Sequence, residues 1–277
     1  MTSTSTAPAT TGTLDVPGAR LHYELRGTGP LVVLVGAPMG AAAFAPLADL
    51  LATDHTVLTT DPRGHRGSVL DDPKQDSTPE LRADDLARLI VSLGAGPAVV
   101  FGSSGGAVTA LALAQAQPDL VTTVVAHEPP LVALLDDRVE QRAKTEEIIA
   151  THQSGDTLGA WRKFMAQANI QMPEPVLEQI FGGEREPVQQ ASETYWFAYE
   201  LRATTSWEPD SAALRATAAR IVIGLGAESA GQLCERTSQE LGEMLDVEPV
   251  LFPGGHTGFV EDPAAFAPRL REVLRAQ

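Results

Sequence analysis

Six short, largely apolar runs constrain this chain more than any other feature. They are Leu31–Val35, Thr56–Thr60, Ala98–Phe101, Val121–Ala126, Ile221–Leu225 and Val247–Leu251, and each runs into a turn. Leu31–Val35 stops at Gly36, Thr56–Thr60 at Asp61-Pro62, Ala98–Phe101 at Gly102, and Val121–Ala126 at His127-Glu128-Pro129-Pro130. Runs this short without polar alternation read as strands buried on both faces. Between them lie helical patterns at Phe44–Leu51, Pro79–Leu93, Gly105–Gln115 and Pro263–Leu274, with Thr78 placed to cap the helix that starts at Pro79. Strand–helix alternation of this kind predicts an α/β fold, a mostly parallel, doubly wound sheet covered on both faces. Ahead of it, Leu14–Val16 and Ala19–Leu25 flank Pro17-Gly18, which predicts a hairpin at the sheet edge.

The rhythm breaks between residues 131 and 217. That stretch has helical patterns, such as Arg138–Ala150, and no convincing strand, yet it holds Trp161, Trp196, Trp207, Tyr195 and Tyr199. It is expected to be a helical lid (131–217) inserted into a core formed by 13–130 and 218–277. Residues 1–12, rich in Ser, Thr, Ala and Pro, are expected to form a disordered tail.

Of 277 residues, 43% are hydrophobic, enough for one large core with an insertion. The formal charge of −16 repels phosphate backbones and anionic lipid, so a small-molecule substrate is expected, with no nucleic-acid and no membrane partner. No apolar stretch reaches membrane-spanning length, and the N-terminus has no basic start or apolar signal region, which points to the cytoplasm. The single cysteine, Cys234, excludes an intrachain disulfide and is expected to be a buried structural thiol. There is no Cys/His metal spacing, phosphate loop or dinucleotide fingerprint, so neither metal nor cofactor is expected. Oligomeric state is left open.

Gly102-Ser103-Ser104-Gly105-Gly106 fits G-x-S-x-G with Ser104 at its centre. An apolar strand precedes it and an Ala-rich helix follows, the context in which a sharp turn exposes a nucleophilic hydroxyl. Centring the pattern on Ser103 would put Phe101 where the first glycine belongs. A serine needs a base. Among six histidines, His22, His55 and His152 fall in structural or exposed settings, while His65 and His127 follow core strands. His256 sits in Pro253-Gly254-Gly255-His256, between the last strand and the last helix, where a Gly-rich loop can swing its ring towards Ser104.

This order of strand, serine turn, insertion and late Gly-His resembles the α/β-hydrolase superfamily over nearly the whole chain. Gly36-Ala37-Pro38-Met39-Gly40 resembles its oxyanion loop, with Val35 where histidine is usual. Asp61-Pro62-Arg63-Gly64-His65-Arg66-Gly67-Ser68 resembles its Asp-x-Arg-Gly-x-Gly-x-Ser segment, with Arg66 and Gly67 in swapped order. The resemblance implies a Ser104–His256–acid triad, Ala37 and Gly105 amides as the oxyanion hole, and hydrolysis of a carboxylic ester or lactone through an acyl-enzyme. The acid has two candidates. Glu228 stands in the superfamily's usual place, and Glu128 lies at a strand's carboxyl end, held by two prolines. Similarity to fungal zearalenone lactonases, in Ala126-His127-Glu128-Pro129-Pro130 and in the Trp196/Arg202 pair, favours Glu128. Met39, Trp196, Tyr195 and Tyr199 are then expected to line the substrate pocket. The same site type also supports lyase, perhydrolase and acyl-transfer chemistry, and related scaffolds serve as non-catalytic small-molecule receptors.

Overall fold

A computed structural model describes residues 9–183 and 185–275. The chain opens with β1 (Thr10–Val16), β2 (Ala19–Arg26) and β3 (Leu31–Val35), then α1 (Ala41–Leu51), β4 (Thr56–Thr60), β5 (Val69–Leu70) and α2 (Pro79–Leu93). Next come β6 (Ala98–Ser103), α3 (Gly105–Ala116) and β7 (Val121–His127). After β7 follow α4 (Arg138–Gln153), α5 (Thr157–Ala168), α6 (Glu174–Phe181), α7 (Pro187–Tyr195), a π-helical turn (Trp196–Glu200), α8 (Leu201–Thr205) and α9 (Ser211–Ala216). The chain returns to the sheet with β8 (Arg220–Gly226), α10 (Leu233–Leu245), β9 (Val250–Phe252), α11 (Gly258–Glu261) and α12 (Pro263–Arg275).

The sheet runs β1-β2-β4-β3-β6-β7-β8-β9, with β5 paired to β2. From β4 to β9 every neighbouring pair is parallel, and β2 pairs antiparallel with β1, β4 and β5. Side chains alternate across it. Leu31, Val33 and Val35 join the core under α2, α3 and α10, whereas Val32 and Leu34 join the core under α1, α11 and α12. All five are buried, each stabilising the fold by about 1.5–3 kcal/mol relative to exposure. The expected mostly parallel, doubly wound α/β sheet is the observed one, with its helical insertion between β7 and β8.

Several boundaries and one helix differ from expectation. Residues 1–8 of the expected tail lie outside the described residues, but Thr10, Thr11 and Gly12 pair with Leu25, Glu24 and Tyr23, so the edge hairpin starts earlier. The last strand begins at Val250 rather than Val247, because the Val247 amide is used to cap α10 by donating to Gly242 O at 3.0 Å. Helix α10 itself was not expected. Its buried face includes the fully buried Thr237 and Ser238 beside Leu233, Leu241 and Leu245, which hides the apolar period.

Candidate active site

Strand β6 delivers Ser104 to the N-terminus of α3 through a turn held in an unusual conformation, with Ser104 at φ 56° and ψ −124°. Such a conformation costs on the order of 1–3 kcal/mol and persists only where packing enforces it. Here the neighbouring glycines allow that packing. A Cβ on Gly102 would lie 2.3 Å from Gly106 O, and one on Gly106 would lie 2.1 Å from Val35 O. The strand and helix therefore meet closer than any side chain permits. Ser104 is left partly exposed at the end of a helix that is otherwise buried nearly all round.

The Ala37 loop lies against this turn, with a Cβ on Gly105 meeting Ala37 O at 2.6 Å. Among the described residues, neither the Gly105 nor the Ala37 amide donates to a protein acceptor. Two free N–H groups beside a hydroxyl at a helix N-terminus favour developing negative charge.

Glu128 follows β7 at φ 52° and is fully buried. Its Oε1 accepts from the Gly226 amide at 2.8 Å, and its Oε2 accepts from His256 Nδ1 at 2.5 Å. Burial pushes its carboxyl up, but the hydrogen bond and charge of His256 outweigh burial and hold it down at about 2. The ring of His256 is 22% exposed. Burial disfavours its charged form, while Cys234 and Glu128 together raise it above the ordinary histidine range. Glu228 is exposed on the loop after β8, and its side chain has no partner among the described residues.

Ser104 and His256 line one cavity, with about 690 Å³ of empty space including its mouth. In this structure the two are not hydrogen-bonded to each other; catalytic contacts of unliganded sites commonly tighten only on binding. Ala37, Gly105 and Trp196 line the same cavity.

Three expected pocket residues lie elsewhere. Tyr195 and Tyr199 line an outward groove with Gly64, Leu70 and Pro73. Tyr195 Oη donates to Gln75 O at 2.8 Å and its ring meets His65 edge-on. Consecutive helical residues point about 100° apart, so Tyr195 turns away where Trp196 faces the cavity, and Tyr199 follows Tyr195 one turn on. Met39 lines a separate groove with Pro38, Arg66, Trp161 and the other side of Trp196.

Cys234 is also corrected. It is only partly buried and lines the cavity, because the unexpected α10 begins there. Phe164 from α5, Ile170 just after it, and Leu201 from α8 complete the wall; no local motif marks them. Ligand atoms of Glu128, Cys234 and His256 lie within 4.8 Å of one another. Both Glu128 oxygens are already committed to Gly226 and His256, so the trio does not present the carboxylate to an ion. His127 is fully buried among Phe101, Phe252, Phe259 and Phe266, and burial lowers it to about 4, which keeps it neutral. His65 is fully buried and bonded to Glu200.

A parallel sheet ending in a strained serine turn and a buried carboxylate–histidine pair defines a hydrolase of α/β architecture. The sequence matches the alpha/beta hydrolase family over residues 31–269, and the chain belongs to that family. It is 32% identical to the uncharacterized hydrolase YraK of Bacillus subtilis (strain 168) over 273 residues, 96% of each chain. It is 31% identical over 166 residues to a zearalenone hydrolase of Bionectria ochroleuca, covering 55% of this chain and 62% of that protein. Among solved structures, an alpha/beta hydrolase from Sphaerobacter thermophilus DSM 20745 superposes with a TM-score of 0.70 at 25% identity, covering 98% of this chain and 100% of that one. The chain is thus an enzyme with hydrolase activity. Among the described residues, no helix is long and apolar enough to cross a membrane.

Proposed function

We propose that the chain is a serine hydrolase that cleaves a carboxylic ester or lactone through an acyl-enzyme. The observation that carries this reading is the Glu128–His256 hydrogen bond of 2.5 Å, at the rim of the cavity that Ser104 faces. In its neutral form His256 takes the Ser104 proton as Oγ attacks the carbonyl, and Glu128 stays ionised to hold the ring and balance the imidazolium that forms. The Ala37 and Gly105 amides receive the oxyanion, each contributing about 10²–10³ in rate when aligned. His256 then protonates the leaving alcohol, and water activated by the same ring releases the acid. The likeness to a zearalenone hydrolase supports including lactones.

The test is hydrolysis of a short p-nitrophenyl ester by wild type and Ser104→Ala, with mass spectrometry after fluorophosphonate treatment. A rate loss of about 10³-fold or more, with Ser104 as the labelled residue, is expected. Wild-type turnover by the variant would overturn the reading.

A further inference from the structure

Resting on that serine-hydrolase reading, we infer that the cavity takes a neutral substrate with an apolar body and a hydrogen-bonding group towards Gln232, and rejects substrates carrying a carboxylate. The wall is built from Phe164, Ala168, Ile170, Trp196, Leu201 and Leu233. No lysine or arginine is among the described residues that line it.

The wall's polar side chains are mostly used within the protein. Gln167 Nε2 donates to Gln141 O at 2.8 Å and to Thr145 Oγ1 at 3.1 Å. Thr204 Oγ1 accepts from Arg82 at 2.9 Å, and Thr205 Oγ1 donates to Leu201 O at 2.9 Å. Gln232, just ahead of α10, is different: among the described residues its side-chain amide has no partner, and it is only partly buried. The cavity therefore offers a substrate the reacting groups, the neighbouring Cys234 thiol, one free amide and an apolar surface.

The arginines adjoining the wall are held elsewhere. Arg82 is fully engaged behind Thr204 by Ser77, Thr109 and Thr204, and Arg66 and Arg185 line the separate groove beyond Trp196. A carboxylate seated along this wall would lose its water without gaining a counter-ion, because the charge of His256 is already balanced by Glu128. The net charge of −16 opposes its approach as well.

Two alkyl fluorophosphonates of equal chain length test this, one ending in a methyl group and one in a carboxylate, with rates of Ser104 labelling as the readout. The neutral probe is expected to label faster by about 10²-fold or more. Gln232→Arg, at a partly exposed position, is expected to raise the rate of the carboxylate probe and narrow that ratio by about tenfold. Equal rates for the two probes on wild type would overturn the inference and leave the serine nucleophile standing. Failure of both probes to label Ser104 would overturn the serine-hydrolase reading, and the inference with it.

Discussion

Glu128 and Glu228 both stand on loops at the carboxyl edge of the sheet, and surroundings alone distinguish them. Glu128 is fully buried with both oxygens bonded, and its carboxyl is held at about 2; Glu228 is exposed. Glu128→Gln keeps the shape but removes the charge that balances an imidazolium. A kcat loss on the order of 10³–10⁴-fold is expected, with Glu228→Gln within about twofold of wild type. Steady-state kinetics on one ester decides it, and near-equal losses from both variants would remove Glu128 from the role. The position of Glu128 was legible in the sequence because a strand end followed by two prolines leaves a side chain little choice of place. Tyr195, Tyr199 and Met39 were not. Trp196 is adjacent to Tyr195, and only the orientation of their helix against the core decides which of them faces the cavity.

At the scale of elements, the central strands and α2 were readable because burial on both faces and helix capping are local signals. What local signals miss is tertiary satisfaction of polar groups. Helix α1 starts at Ala41, ahead of the expected Phe44, because the Asp61 carboxylate accepts from the Ala41 amide at 2.9 Å. The insertion is tied to the core in the same hidden way. Glu200, in the π-helical turn, bonds His65 and Ser77 at 3.0 Å each, lies 3.6 Å from Arg82, and is buried with all three. Burial pushes the Glu200 carboxyl up, yet His65 and Arg82 prevail and hold it below its ordinary value. Since the same turn carries Trp196, the cluster fixes one wall of the cavity. Glu200→Gln leaves Arg82 buried without a carboxylate, which costs about 3–5 kcal/mol. Urea unfolding at neutral pH should show a drop of that size; a change below about 1 kcal/mol would mean that the cluster does not hold the insertion to the core.

For the whole molecule, surface charge and buried groups predict opposite responses to acid. A net charge of −16 repels itself, so neutralising it on the way down from pH 7 should stabilise the fold. His127 acts the other way. Its folded value of about 4 lies below its ordinary 6.5, so above 6.5 it is neutral in both states and contributes no slope. Between 6.5 and about 4 the unfolded chain binds the proton and the folded chain does not, so stability falls as pH falls. His256, raised in the folded state, makes its change above 6.5 and is level through this window. Most carboxylates titrate below pH 5, so relief of repulsion is small there, while the His127 loss reaches about 2 kcal/mol at pH 5. The buried histidine should win. Thermal unfolding is expected to show a lower Tm at pH 5 than at pH 7. In His127→Phe, whose ring joins the surrounding phenylalanines, that decline should flatten or reverse. A wild-type Tm that climbs steadily towards pH 5 would show that repulsion among surface carboxylates dominates and that His127 takes up its proton without unfolding the chain.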